Sequence, residues 1–152
     1  MGSFTPTEAQ VFLAETRVAV LSIPRPDKAP MSSPVWFAYE VGGDIEFIIA
    51  ETTWKRRLLQ LGTPVTITTH DDRWPYRWVS ADCVVADIRP REHVDVLRIA
   101  QRYLGLTAGE AYAHTRTWPG VCVRLRPQRW LGENFAGTEL VADEGSPASR
   151  GN

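Results

Sequence analysis

The sequence predicts a mainly β domain, a small antiparallel barrel or strongly curved sheet with short helices at fixed places. Three observations carry that expectation. Six runs are rich in β-branched and aromatic residues and tend to alternate apolar with polar positions. Their connections include tight turns such as "GGD", which suit antiparallel neighbours rather than crossover units. Helical periodicity is confined to short segments, the clearest being "REHVDVLRIAQRYLG".

In chain order, "TPTEAQVFLAET" carries a Thr cap, a Glu and then Val11, Phe12 and Leu13, which predicts a first helix. "RVAVLSI" is the first strand, closed by the Pro-bounded turn "PRPDKAP". "SSPVWFAYEV" and "IEFIIA" flank "GGD" and are expected to pair as a hairpin. "PVTITTH" alternates, and "YRWVSADCVVADI" is long enough to bend or to serve two sheets. In the second helix Val94, Leu97, Ile99, Ala100 and Leu104 are expected to form the apolar face, with Gly105 as its stop. "TAGEAYAHTRTWPG" is a short helical or irregular stretch, "VCVRLRP" is the last strand, and "RWLGENF" trails from it.

The chain of 152 residues suits one folding unit, expected over residues 1–140, with residues 141–152 as a disordered polar tail. Apolar residues at 43% and charged residues at 23% match a water-soluble globular protein. No run approaches the roughly 18 apolar residues that span a bilayer, and "MGSFTPTEAQ" lacks the order of a signal peptide, so a cytoplasmic location is expected. A net charge of −1 and no recognisable binding motif argue against a nucleic-acid partner. Cys83 and Cys122 lie in β-like runs and read as core residues. His70, His93 and His114 have no metal-ligand spacing, so no metal site is expected, and no serine sits in a nucleophile elbow. Asp71 and Asp72 of "HDD" are explained by turn chemistry.

One stretch stands out from this background. "ETTWKRRLLQL", at positions 51–61, gathers Lys55, Arg56 and Arg57 directly after "IEFIIA". Such a run is either a solvated helix face or the cradle of an anionic ligand, where side-chain cations join the free N–H groups of a helix start. A barrel this small leaves little interior space, so a sizeable ligand is expected on its outer wall, completed by a second subunit. Six tryptophans are more indole than one small core readily hides, and interfaces favour them.

The order "RVAVLSI…SSPVWFAYEVGGDIEFIIAETTWKRRLLQLGTPVTITTHDDRWPYRWVSADCVV…VRLRPQRW" resembles the split β-barrel flavin-binding family typified by pyridoxamine 5′-phosphate oxidase. It is more similar still to that family's coenzyme F420 (deazaflavin)-dependent oxidoreductases, over about positions 8–135. The most specific element is "IIAETTWKRRLLQL"; Leu58 stands where the family usually has Asn, "GTP" replaces "DPR", and "SADCVV" lacks the usual Gly.

The resemblance implies a six-stranded antiparallel split β-barrel of the FMN-binding type, forming a homodimer with the cofactor site at the subunit interface. By the same resemblance, Lys55 and Arg56 or Arg57 would hold the cofactor phosphate, with Thr52 and Thr53 hydroxyls adding neutral hydrogen bonds. Ser33, Val35 and Trp36 on one strand and Ile48, Ile49 and Ala50 on the next would lie against the ring. Trp74, Tyr76 and Trp78 would reach it from across the dimer. The implied chemistry is hydride transfer between F420 and a small organic substrate, with no catalytic side chain assigned. All basic residues but Lys28 and Lys55 are Arg, which together with the branch resemblance favours F420 over FMN. The alternatives are an FMN-dependent oxidoreductase and a non-catalytic carrier of a cofactor or haem.

Overall fold

The computed structural model describes residues 2–138; the tail expected at 141–152 lies outside the described residues. The six expected strands form, and a two-residue strand precedes them. In chain order the elements are β1 (Gly2–Ser3), α1 (Pro6–Ala14), β2 (Ala19–Arg25), β3 (Lys28–Val35), β4 (Ile45–Ala50) and α2 (Trp54–Leu58). They continue with β5 (Pro64–His70), β6 (Arg77–Pro90), α3 (His93–Leu104), α4 (Leu106–Thr115) and β7 (Gly120–Asn134).

All pairings are antiparallel, in the order β1-β7-β6-β5-β2-β3, and β4 adds to β7. The long strands β6 and β7 let the sheet curl: register shifts at Asp82/Cys83 and Val85/Asp87 bend the pair. Beyond the bend, the first residues of β7, Gly120–Leu125, hold β4 on one side and β6 on the other. β7 thus runs on through "RWLGEN" instead of ending at Pro127, and Pro127 falls beside the first shift, where a missing N–H costs little.

The expected hairpin between "SSPVWFAYEV" and "IEFIIA" is reduced to one bridge. Ala38 N–H donates to Glu46 O at 2.8 Å and Glu46 N–H to Ala38 O at 3.0 Å, while β4 takes its ladder from β7. Pro30 and Pro34 explain part of this, because each removes a ladder donor from β3 and suits it to an edge. The bridge closes the ring of six strands. Beyond it, β3 and β4 part, and the barrel is split.

Inward-facing Leu21, Ile23, Phe37, Ile45, Phe47, Ile67, Val123 and Leu125 are fully buried and make the core. The helix α1 starts as expected, with Thr5 and Glu8 in a reciprocal capping box and Pro6 in its first turn. It buries Phe12 and Leu13, whereas Val11 is exposed. Beside Phe12, Asp71 does more than shape a turn, since it accepts from Arg17 Nε at 2.9 Å and Arg77 Nε at 2.6 Å. Both guanidinium groups lie over the Phe12 ring, at 4.0 and 4.8 Å.

In α3 the buried residues are Asp95, Val96, Ile99 and Ala100, while Val94 and Leu104 face solvent, so the helix is rotated from the expected face. The rotation follows from Asp95. Its carboxylate accepts two 2.8 Å hydrogen bonds from Arg89 of β6 and one of 2.8 Å from Glu92 N–H, which ties the helix start to the sheet. Gly105, at φ 87°, ends α3 as predicted. At Gly109 a Cβ would lie 2.5 Å from Gln101 Cα, so only glycine lets α4 pack this closely on α3. Cys83 and Cys122 are buried, and burial pushes their thiols up to about 12 and about 11, which leaves them inert core residues as expected. Among the described residues no helix is long and apolar enough to cross a membrane.

The Arg89 hydrogen bonds hold the Asp95 carboxyl below its ordinary value against the opposing effect of burial. At Asp71 burial also opposes ionisation, and Arg77 and Arg17 outweigh it. A lowered carboxylate contributes stability above its unfolded value, about 4, that is lost as pH falls through the folded value. Asp95→Asn is therefore expected to lower the unfolding free energy at pH 7 by about 1.5–3 kcal/mol, the scale of charged hydrogen bonds. In urea melts that deficit should shrink as pH drops below about 4; a deficit unchanged by pH would show that the carboxylate charge is not the cause.

Candidate functional site

Where β3 and β4 separate, a cleft of about 290 Å³ opens on the outside of the barrel. Its sheet side is made by Pro34, Val35, Trp36, Ile48 and Lys55. Alternation along β4 explains the placement: Ile45, Phe47 and Ile49 point inward, and Ile48 points out into the cleft. The far side is helical, with Val96, Ile99 and Ala100 from α3, and then Tyr112, Arg116 and Trp118. Each of β3 and β4 has a ladder partner on one side only, apart from the Ala38 bridge. Backbone N–H and C=O groups are therefore open to a ligand along the split.

Aromatic packing fixes the walls. Trp36 stacks on Tyr103 with ring centroids 4.9 Å apart and planes 6° apart, and lies 5.3 Å from Tyr112. The Tyr103 hydroxyl donates to Arg17 O at 2.7 Å and accepts from Phe37 N–H at 3.2 Å, which fixes the Tyr103 side of the stack. Across the cleft, Arg91 clasps the segment after α4. It donates to Trp118 O at 2.9 Å and to Arg116 O at 2.6 Å, and its guanidinium sits 4.6 Å over the Trp118 ring.

The cleft carries uncompensated positive charge. Neither a hydrogen bond nor an ion pair satisfies the Lys55 ammonium among the described residues, and no carboxylate lines the cleft. Burial lowers its affinity for the proton below that of an ordinary lysine. Arg116 lies 4.4 Å over the Tyr112 ring with its Nε buried and without an acceptor. Ser33 Oγ, one residue from the lining, is buried without a partner as well. Unsatisfied donors and an unpaired cation fit an anionic, hydrogen-bonding ligand.

Of the residues singled out from the sequence, the cleft brings together Lys55, Val35, Trp36 and Ile48. Arg56 and Arg57 do not line it. Arg56 instead donates to Leu59 O at 3.1 Å and lies 3.6 Å from Glu51, which ties down the end of α2, and Arg57 is exposed. The expected helix start is a single turn of five residues, too short for a substantial dipole, so anion attraction here rests on side chains. Thr53 spends its hydroxyl proton on Ala50 O at 2.9 Å, and Thr52 is exposed in the turn. Ile49 is in the barrel core, so only its backbone is on offer, and Ala50 is half-buried at the strand end.

Trp74, Tyr76 and Trp78 lie apart from this cleft within one chain. Tyr76 and Trp78 line a shallow groove of about 570 Å³ with Thr68, His70, Arg77 and Phe135. Trp74 packs edge-on against Tyr76 at 5.5 Å and lies 6.0 Å from Phe135, leaving Trp74 and Tyr76 substantially exposed. Sequence reading missed the entire helical wall. The available signal was the long connection between the last two strands, which has to cross the barrel somewhere and carries Tyr112, Arg116 and Trp118 close together.

Because burial disfavours the Lys55 charge, the unfolded chain holds that proton more tightly, and stability rises with pH through the lowered value. Lys55→Met is expected to leave the protein at least as stable as the wild type at pH 7, with the gap closing as pH rises toward about 10, the ordinary lysine value. Thermal melts over that range check this; a destabilised Lys55→Met variant at pH 7 would mean that the ammonium has a partner within the fold.

No protein-family model matches the chain, and neither does any curated protein. Solved structures do match. One is an F420 reductase, at 22% identity and a TM-score of 0.66, covering 83% of this chain and 98% of that one. A second is the conserved hypothetical protein Rv2991 from Mycobacterium tuberculosis, at 21% identity and a TM-score of 0.70, covering 95% of both chains. A third is the FAD and heme binding protein from Mycobacterium smegmatis, at 16% identity and a TM-score of 0.66, covering 95% of this chain and 78% of that one. At these identities the likeness is one of fold, and the chain is a split β-barrel of the kind that these F420-, FAD- and haem-associated proteins share.

Proposed function

We propose that the cleft holds a flavin-type redox coenzyme, the deazaflavin F420, and that the protein is a cytoplasmic oxidoreductase acting on a small organic substrate. The observation that carries this reading is the placement of an unpaired, half-buried Lys55 beside open strand edges and an apolar wall. Lys55 takes the phosphate as a compact point charge. Val35, Trp36 and Ile48 lie against the ring and exclude water, while backbone groups of β3 and β4 along the split meet its polar edge. When bound, the deazaflavin supplies two-electron hydride chemistry. The presence of an F420 reductase among the structures that share the fold accords with this coenzyme.

A cleft of about 290 Å³ lies at the lower limit of whole-ligand sites, roughly 300–1,000 Å³. It suits part of such a coenzyme, and a second copy of the chain supplies the rest in a homodimer. The exposed group of Trp74 and Tyr76, with Trp78 beside it, is the apolar surface best suited to that contact.

Titration with F420 and, separately, with FMN, followed by ring fluorescence, tests the reading. F420 is expected to bind at micromolar strength or better, and Lys55→Ala to weaken it by about 1.5–3 kcal/mol, roughly 10- to 150-fold. Unchanged affinity in that variant would remove Lys55 from the site. Tighter binding of FMN would replace the coenzyme, and a reduced coenzyme that keeps its hydride with every acceptor offered would make the protein a carrier.

A further inference from the structure

Lys55 is one of two cations in the cleft, and the reading above gives the second, Arg116, no role. Most of the other partly buried arginines are spoken for: Arg17 and Arg77 by Asp71, Arg89 by Asp95, Arg124 by Asp44, and Arg91 by backbone carbonyls. The Arg116 side chain donates no hydrogen bond and makes no ion pair among the described residues, although its Nε is shut off from solvent. Its position is nonetheless fixed. The guanidinium lies over Tyr112 at 4.4 Å, and the backbone carbonyl is held by Arg91 at 2.6 Å. A guanidinium packed over a ring, with its donors unfilled, offers a two-pronged site for an oxyanion such as a carboxylate.

Placement separates the two cations by role. Lys55 follows β4 on the sheet side, where the coenzyme ring is proposed to lie, and Arg116 follows α4 on the helical side, between Tyr112 and Trp118. Resting on the coenzyme reading above, we infer that Arg116 is a second anion anchor of the cleft, that it binds the carboxylate of the organic acceptor, and that Tyr112 and Trp118 flank the acceptor's apolar body. Arg91 is then a positioning residue, which acts by holding the Arg116 and Trp118 carbonyls.

Benzoate and its neutral counterpart benzyl alcohol serve as probes, titrated into the wild type and Arg116→Gln, each with and without saturating F420, by calorimetry. The wild type is expected to prefer benzoate over benzyl alcohol at least tenfold, and Arg116→Gln to erase that preference while F420 affinity stays within about twofold. Arg116→Lys should restore it only in part, because an ammonium keeps the charge and loses the fork. No preference in the wild type would overturn the inference, whether or not the variants fold. So would a preference that survives in Arg116→Gln, or a loss of F420 affinity in Arg116→Gln as large as in Lys55→Ala, which would give Arg116 to the coenzyme. Failure of F420 and FMN to bind the wild type would remove the coenzyme reading alone, and benzoate binding to the apoprotein would still decide for or against Arg116 as an anion anchor.

Discussion

A single pair of backbone hydrogen bonds, between Ala38 and Glu46, closes this barrel where a full hairpin ladder was available in principle. The cleft, its open strand edges and the position of Lys55 all depend on how little of β3 and β4 is paired. Pro30 and Pro34 make β3 a poor partner on its free side, while Gly120–Leu125 of β7 offers β4 a complete ladder. The chain thus gives up local pairing for a distant one and leaves a seam on the outer wall. Along that seam an extended ligand can reach backbone groups without unfolding anything.

Charge is distributed in the same spirit. Asp71 gathers Arg17 and Arg77 against Phe12, and Asp95 gathers Arg89 at the start of α3, so the barrel ends are held by compensated pairs. Partly buried pairs of this kind contribute little net stability but are costly to break, which makes them good anchors for the elements they join. At the cleft the pattern reverses, and Lys55 and Arg116 stand without acids. Two partly buried cations without acids in one cleft carry a local cost that an anionic ligand relieves.

Much of this was legible in the sequence, and the failures have physical causes. The strands were readable because alternation is local, and Lys55 drew notice as the head of a run of three cations directly after a β-like segment. Pairing is not local: nothing in "IEFIIA" says that its partner is "VCVRL", more than seventy residues on, although Pro34 warned that "SSPVWF" belongs at an edge. The face of α3 was misjudged because Asp95 looks like a solvent residue until Arg89 is placed beside it. Trp36 lines the cleft, yet its stacking partner Tyr103 and the walls from Tyr112 to Trp118 come from a connection whose path over the barrel depends on tertiary packing. Arg56 illustrates the opposite case, a cation in the right run whose side chain is used to finish a helix.

The seam is the central claim, and amide hydrogen exchange with and without F420 tests it most directly. Slowed exchange confined mainly to residues 33–36 and 48–55 is the result predicted for a coenzyme lying along the unpaired edges of β3 and β4. Binding that leaves those amides unchanged and protects a different part of the barrel would contradict it.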